Sequence, residues 1–355
     1  MRRSFLVVAA ALLAGGCGST APTPPPPPTE DPPKITCPAP QPVRLTAGSS
    51  ATVTYTATTI NGRPPVTIVC APPSGSSFGI GQATVNCVAT DALQRTDPCS
   101  FTVTVLAPLP PPALIVTSFL AFGDSITLGE DGRNSTTSAS APFHPRVLLP
   151  PEQRYPAVLL QDLITRYTTQ AATLRVDNAG KGGEAISDPA TSDGPNAITR
   201  FDGLLSGHGA VLIMEGTNDL PKAHVAASKA VQDDILSTAA AGLRTMVRDA
   251  KASGVRPFLA TIPPMDPAGS RGQTFGWELV PNFNDRIAVI AGLEQVPLVD
   301  INKAFAGNLG LLGFDGVHPT AEGYKRIADT FFDAIKSTLE TNTSSTSLAP
   351  VIRRR

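Results

Sequence analysis

The sequence predicts two folded domains, a small β-sandwich stapled by disulfides and a larger α/β domain built on a parallel sheet. Three observations predict this division. Residues 34–106 read as short strands that alternate polar and apolar positions and are rich in Val and Thr. Four of the five cysteines lie in this segment. From residue 114 onwards, short apolar runs alternate with helical segments, which is typical of a parallel sheet with helices on both faces.

The bulk composition is that of a chain with an ordinary buried core. Its 355 residues are 41% hydrophobic and carry a formal net charge of -1, which gives no reason to expect nucleic-acid binding. Proline is abundant, with 36 residues, and is concentrated in two linkers at 17–33 and 107–113. Because proline-rich segments are extended and semi-rigid, we expect the first linker to be a spacer and the second to separate the domains.

Residues 1–16 are expected to be an export signal. Basic residues at 2–3, an apolar run at 5–14 and small residues at 14–16 stand before Cys17. The apolar run is too short for a membrane span, and the cysteine after small residues resembles the lipobox of bacterial lipoproteins. The resemblance implies export, lipid attachment at Cys17 and anchoring to the membrane of the bacterial cell envelope or surface. Ordinary secretion with an incidental cysteine is the alternative, and the general secretory and twin-arginine routes both stay open.

The β-rich segment contains an even set of cysteines, Cys37, Cys70, Cys87 and Cys99, once Cys17 is set aside. Exported proteins can oxidise such cysteines, and about 70 residues bury only a modest core, so we expect two disulfides. Four cysteines allow three pairings, and the sequence does not choose among them.

The same segment carries a second resemblance. Its stretches at 77–85, 89–91 and 99–105 resemble the hyalin-repeat (HYR) domain, an immunoglobulin-like module. The resemblance implies a domain over 34–106 that serves spacing or adhesion. A carbohydrate-binding role is the alternative, although the segment shows no aromatic platform for a sugar.

The α/β domain is marked by five apolar runs at 114–122, 173–177, 210–214, 256–262 and 296–300, which predict the strands. Between and after them lie helical patterns. The pattern at 226–253 stops at Gly254, and the last helix places Tyr324, Ile327, Phe331 and Ile335 on one face. The polar residues 341–355 are predicted to be a disordered tail.

Two distant stretches carry residues suited to acyl transfer. Ser125 stands where the first apolar run ends in the small-residue turn Gly123-Asp124, and Asp315 and His318 lie three residues apart late in the chain. A hydroxyl, an imidazole and a carboxylate are the groups that nucleophilic catalysis by serine requires. Gly-Asp-Ser alone is a weak signal, because such runs are usually turns.

Two further blocks, 178–184 and 215–219, each follow a predicted strand. In a parallel sheet the loops after the carboxyl ends of the strands share one edge, where ligands usually bind. All four blocks can therefore converge in space.

In this order the four blocks resemble those of the SGNH hydrolases, also called the GDSL esterase/lipase family. The resemblance covers nearly the entire segment 114–340 and implies a three-layer α/β/α fold with a parallel five-stranded sheet. Residue by residue, Ser125 matches the nucleophile, and Asp315 and His318 match the Asp-x-x-His that supplies the acid and the base.

The resemblance also implies an oxyanion hole formed by the Ser125 and Gly183 backbone N–H groups and the Asn218 side-chain amide. Gly183 best matches the second-block glycine, because it follows Asn178 at the usual spacing. Gly180 and Gly182 are alternatives.

The activity implied is hydrolysis of carboxylic acyl esters, without a cofactor, on a small-molecule, lipid or acylated-glycan substrate. Two alternatives stay open: a polysaccharide acetylesterase or acyltransferase that uses the same site, and a catalytically silent adhesion or glycan-binding protein.

Other polar residues have simpler interpretations. His144, His208 and His224 are isolated and lack metal-ligand spacing, so no metal is expected. Asp124 and Asp219 are interpreted as structural hydrogen bonders. Trp277 and the nearby Phe275 suit either a substrate pocket or packing.

Overall fold

The computed structural model describes residues 30–132, 147–190 and 196–341, which fall into two compact units divided between Leu109 and Pro110. The predicted signal peptide, Cys17, most of the first linker, His144 and residues 342–355 of the predicted tail lie outside the described residues. Lipid anchoring therefore stays a prediction. None of the helices in the described ranges is long and apolar enough to cross a membrane.

The first unit consists of strands. They are β1 Lys34–Thr36, β2 Val43–Arg44, β3 Ser50–Val53, β4 Thr58–Ile60, β5 Thr67–Ala71, β6 Ser76–Gly79, β7 Gly81–Thr90 and β8 Thr96–Leu106. A four-stranded sheet has the order β2-β8-β7-β5, and β1 pairs with β4 and β3 with β6. Alternate residues of β7 and β8, such as Val85 and Val103, are buried together with Phe78 and Val53 from the β3–β6 pair. The period-two pattern thus places one face of each long strand in the core.

Two disulfides close this unit. Cys37 bonds to Cys99 across 62 residues, and Cys70 bonds to Cys87 between the paired strands β5 and β7. The structure therefore selects one of the three pairings that the sequence leaves open.

One predicted strand falls on the break between two shorter strands. The pattern at 53–58 predicts a continuous strand, but β3 ends at Val53 and β4 begins at Thr58. Between them, the backbone N–H of Tyr55 donates to the Ser74 hydroxyl, which in turn donates to the Tyr55 carbonyl oxygen. The Ser74 side chain thus makes the hydrogen bonds to the Tyr55 backbone that a neighbouring strand would otherwise make.

The second unit is built on a five-stranded parallel sheet of order β11-β10-β12-β13-β14. Its strands are β10 Ser118–Gly123, β11 Arg175–Gly180, β12 Ala210–Met214, β13 Arg256–Ala260 and β14 Leu298–Val299. Two short strands, β9 Ala113–Leu114 and β15 Glu340–Thr341, pair with each other. Thr341, which the sequence assigned to the tail, therefore lies in a strand.

Helices connect the strands. They are α1 Ser125–Leu128, α2 Tyr155–Arg166, α3 Ala197–Leu204, α4 Leu220–His224, α5 Lys229–Ala252, α6 Val280–Glu294, α7 Ile301–Ala304 and α8 Ala321–Leu339. Short 3-10 helices lie at Pro151–Gln153, Thr168–Gln170, Thr217–Asp219, Gly272–Thr274, Trp277–Leu279 and Leu309–Leu311.

The sheet has a separate apolar layer on each face. Along β10, Phe119 and Ala121 belong to a cluster with residues of α2 and α8, whereas Leu120 and Phe122 belong to a cluster with residues of α3, α5 and α6. Successive side chains of a strand point to opposite faces, so a continuous apolar run is buried on both sides. The predicted fold class is confirmed: an α/β unit with a parallel five-stranded sheet follows a β-rich unit with two disulfides.

Candidate active site

Ser125 is the first residue of α1, and only Asp124 separates it from the carboxyl end of β10. The turn between strand and helix is very tight: a Cβ at Gly123 would lie 2.2 Å from the carbonyl oxygen of Met214 at the end of β12. Asp124 caps the helix by accepting a hydrogen bond from the Ile126 backbone N–H at 2.9 Å, the structural role expected of it. The turn thus requires a glycine at 123, where a side chain would not fit, and it is stabilised by the aspartate at 124, which caps α1.

The Ser125 hydroxyl faces a histidine from the far end of the chain. Its Oγ lies 2.8 Å from Nε2 of His318, and Nδ1 of His318 lies 2.5 Å from Oδ2 of Asp315. All three residues are at most 5% exposed. In this arrangement the imidazole can accept the serine proton at one nitrogen while the carboxylate accepts from the other.

Asp315 is held by its own turn. Its Oδ1 accepts hydrogen bonds from the backbone N–H groups of Val317 and His318, both at 2.9 Å. Burial alone would raise the pKa of Asp315, but the hydrogen bonds and charge of His318 and these backbone donors hold the pKa below its usual range. Asp315 is therefore ionised at neutral pH and oriented toward the imidazole.

Glycines allow a second segment to pack against this turn. The Asp315 N–H donates to the Gly132 carbonyl oxygen at 3.0 Å, and the Gly313 N–H donates to the His318 carbonyl oxygen at 2.8 Å. A Cβ at Gly132 would lie 2.4 Å from the His318 carbonyl oxygen and 2.9 Å from Gly313 Cα. The backbones meet more closely than any side chain would permit.

Asn218 lies in the 3-10 helix that follows β12, and its side-chain amide donates to the Glu184 carbonyl oxygen at 2.9 Å. The chain reaches this position through Gly216, whose φ of 115° favours glycine and whose missing Cβ leaves room for the Phe283 ring. Gly183, next to Glu184, has a φ of 74°. The second and third blocks are therefore in direct contact at Glu184 and Asn218.

Asp219 strengthens the same contact. Its carboxylate accepts hydrogen bonds from the backbone N–H groups of Ile186 at 2.9 Å and Ser187 at 2.8 Å. Burial raises its pKa, although these donors and Lys222 act in the opposite direction. Asp219 thus has the structural role that the sequence interpretation gave it.

The second-block alternatives differ in their surroundings. Gly180 ends β11, and a Cβ there would lie 2.0 Å from the Leu128 backbone nitrogen. Its lack of a side chain is explained by packing against α1. Gly183 is exposed instead, and its positive φ marks a turn just before the buried Glu184.

Arg200 of α3 is a site residue that the sequence reasoning missed. It pairs with the buried Glu184 carboxylate, donates to the carbonyl oxygens of Ala179 and Gly123, and stacks 4.0 Å above the Phe122 ring. It therefore ties the ends of β10 and β11 to the loop that Asn218 contacts. No spacing pattern marks it, because its role depends on how α3 packs.

Glu130 was missed as well. Its Oε2 lies 3.3 Å from Nε2 of His318, so a second carboxylate approaches the imidazole from the side of Ser125. The signal available in the sequence is Gly129, which has a φ of 96° and ends α1 just before Glu130.

Two buried acids lie behind the site. Burial raises the pKa of Asp124 to about 6. Glu215, at the end of β12, is 1% exposed, and burial together with the charge of nearby Asp124 raises its pKa well above the usual range. Its Oε2 meets no hydrogen-bond partner in the described part of the chain. The interior behind Ser125 thus disfavours further negative charge.

The remaining candidates lie in ordinary surroundings. His208 pairs with Asp177 and His224 with Glu278. Phe275 packs against the apolar cluster beside α5 and α6, whereas Trp277 is 43% exposed. Across residues 30–132, 147–190 and 196–341, no group of three or more His, Cys, Asp or Glu side chains could hold a metal ion.

The solved structures to which the chain is similar include several esterases. A carbohydrate acetylesterase from Sinorhizobium meliloti is 21% identical, with a TM-score of 0.48 over 62% of this chain and 98% of that one. An aryl esterase from M. smegmatis is 18% identical, with a TM-score of 0.48 over 62% and 99%. An acetylxylan esterase from Geobacillus stearothermophilus is 22% identical, with a TM-score of 0.44 over 62% and 94%. No curated protein matches the sequence.

Family models match both the β-rich segment and the α/β segment of the chain. The HYR domain model matches residues 29–105, which confirms the resemblance of the first segment. The model of the GDSL-like Lipase/Acylhydrolase family matches residues 121–326, more than half of the 355 residues, and it includes the segments that carry Ser125, Asn218, Asp315 and His318. The chain therefore belongs to the GDSL-like lipase/acylhydrolase family and is a carboxylic ester hydrolase.

Proposed function

We propose that this ester hydrolase works through Ser125, His318 and Asp315 as nucleophile, base and orienting acid. The observation that carries the proposal is the continuous contact from Ser125 Oγ through the imidazole to the Asp315 carboxylate, at 2.8 and 2.5 Å. As Ser125 attacks the ester carbonyl carbon, its proton passes to His318 Nε2. The protonated imidazole then donates this proton to the departing alkoxide. The alcohol is released, and the acyl group stays bound to Ser125 Oγ.

Water completes the cycle. His318 removes a proton from a water molecule that attacks the acyl carbonyl, and the proton returns to Ser125 Oγ as the acid leaves. Asp315 keeps Nδ1 protonated throughout, so that Nε2 is available as the base. Its lowered pKa supports this role, because a neutral carboxyl group would stabilise the imidazolium less.

The oxyanion of each tetrahedral intermediate is proposed to bind the backbone N–H groups of Ser125 and Gly183 and the Asn218 amide. The amide carries two N–H donors, and one of them is fixed on the Glu184 carbonyl oxygen. This bond orients the second donor. The contacts of Arg200 with Glu184, Ala179 and Gly123 hold the loops that supply these donors.

Replacement of the nucleophile tests this mechanism. Ser125→Ala is expected to lower kcat for p-nitrophenyl acetate by at least about 10³-fold and to abolish labelling by a fluorophosphonate. Ser337→Ala, an exposed serine of α8, is the matched control and should keep both properties. Hydrolysis at the wild-type rate by folded Ser125→Ala protein would overturn the mechanism.

A further inference from the structure

The backbone of Glu130 is fixed directly beside the proposed nucleophile. Its N–H donates to the Ser125 carbonyl oxygen at 3.0 Å, and its own carbonyl oxygen accepts from the buried Tyr324 hydroxyl at 2.8 Å. It also forms a β-bridge with Leu148. The left-handed Gly129 before it lets the chain turn back at the end of α1, so the position of Glu130 is tied to that of Ser125.

The carboxylate of Glu130 is almost as shielded from water as the imidazole that it approaches. Its Oε2 lies 3.3 Å from His318 Nε2, and the two side chains are 10% and 4% exposed. Charges this close and this poorly solvated interact strongly, because water and salt screen them weakly. A surface ion pair at the same distance would contribute little.

His318 thus stands between two carboxylates. Asp315 faces Nδ1, and Glu130 lies beside Nε2. Ser125 Oγ lies 2.8 Å from Nε2 and Glu130 Oε2 lies 3.3 Å from it, so the serine oxygen is the nearer partner and Glu130 acts through its charge.

We propose that Glu130 stabilises the imidazolium form of His318 during catalysis and so acts as a positioning residue for the proton that His318 carries. The inference rests on the proposed function, since it requires His318 to be the base. In the resting enzyme, Nε2 presents a lone pair and gains nothing from a nearby carboxylate. In both tetrahedral intermediates Nε2 carries a proton and a positive charge, and the attraction to Glu130 is then fully developed. Such an interaction lowers the barrier, because it is stronger in the transition state than in the ground state.

Steady-state kinetics of Glu130→Gln test the proposal, because glutamine keeps the size of the side chain and removes its charge. We expect kcat for p-nitrophenyl acetate to fall by about 10- to 100-fold, the effect of one close opposite charge, while KM stays within about twofold. Rates are normalised to competent sites by fluorophosphonate titration. Glu130→Asp keeps the charge and is expected to recover part of kcat. Glu152→Gln, on the exposed 3-10 helix at Pro151–Gln153, is the matched control and should behave as wild type.

The kinetics of the Glu130 variants either support or overturn the role proposed for Glu130. A selective loss of kcat in Glu130→Gln with partial recovery in Glu130→Asp supports the proposal. A kcat within about twofold of wild type, or an aspartate variant no faster than the glutamine variant, overturns it. Should Glu130→Gln fail to fold, Glu130→Ala removes the charge instead. A kcat per competent site within about twofold of wild type, or a loss confined to KM, then overturns the proposal, whereas a selective fall in kcat supports it. Because Ser125→Ala is measured alongside, failure of the triad itself is seen separately.

Discussion

The Asn218 side-chain amide donates a hydrogen bond to the Glu184 backbone carbonyl oxygen at 2.9 Å, although the two residues are 34 positions apart in the chain. The bond joins the loop after β12 to the loop after β11 at the edge of the sheet that carries Ser125. Since it occupies one of the two amide hydrogens, it fixes the direction of the other. A donor whose orientation is set before the substrate arrives needs no reorganisation when the oxyanion forms.

We therefore expect Asn218→Ala to lower kcat for p-nitrophenyl acetate by about 10²- to 10³-fold, the usual effect of removing one oxyanion donor. KM should change little, because the lost interaction develops mainly in the transition state. Steady-state kinetics at saturating substrate measure both values.

The control for this variant is labelling at Ser125. Because Ser125 and His318 remain in contact, Asn218→Ala should still react with a fluorophosphonate, though more slowly, whereas Ser125→Ala should not react at all. Loss of activity through a rise in KM alone would contradict an oxyanion role for Asn218.

Gly132 offers a separate test of how the Asp315–His318 turn is held. A Cβ at this position would approach the His318 carbonyl oxygen to 2.4 Å and Asp315 Oδ1 to 3.0 Å. We expect Gly132→Ala to lower the free energy of unfolding by about 1–3 kcal/mol, because the neighbouring backbone must shift. The same shift moves the imidazole from Ser125, so kcat should fall as well. Chemical denaturation and steady-state kinetics measure the two effects.

Gly292 is the matched control. It lies in α6, and a Cβ there would meet no atom within 4 Å. Gly292→Ala is therefore expected to raise the free energy of unfolding by about 0.5–1 kcal/mol, because alanine suits a helix better than glycine, and to leave kcat unchanged. Equal stability and activity in both variants would show that the contact at Gly132 is not tight.

The parts of the site that could be predicted from sequence are those fixed by the topology of a parallel sheet. Ser125, Gly183 and Asn218 follow apolar strands, and loops after neighbouring parallel strands must share an edge. His318 could be placed through the family resemblance, since its own segment follows no strand. The continuous apolar run of β10 and the helical apolar periodicity of α8 could also be recognised, because the strand is buried on both faces and the helix along one face.

The parts that could not be predicted depend on tertiary packing. Arg200 reaches the ends of two strands only because α3 docks against them, and nothing in its neighbourhood along the chain marks this. Glu130 turns toward His318 because of the backbone at Gly129. The disulfide partner of Cys37 depends on which strand lies beside it, which composition does not specify.

The buried acid Glu215 leads to a prediction about stability and pH. Burial raises the pKa of Glu215 well above its usual range, so the folded protein holds this proton more tightly than the unfolded chain does. Its contribution to stability is therefore complete below the pKa of the unfolded chain and is lost as the pH rises through the folded pKa. Glutamine resembles the protonated acid in size but does not ionise.

We expect Glu215→Gln to gain stability relative to wild type as the pH rises, so that the difference in free energy of unfolding between the two is larger at about pH 9 than at about pH 5, by about 1 kcal/mol or more. Denaturation with urea at several pH values measures the difference. Glu322→Gln, at an exposed position in the first turn of α8, is the matched control, and its difference from wild type should not change over this range. If the stability gap between Glu215→Gln and wild type is constant with pH, Glu215 does not hold its proton more tightly in the folded state, and the cost of its burial lies elsewhere.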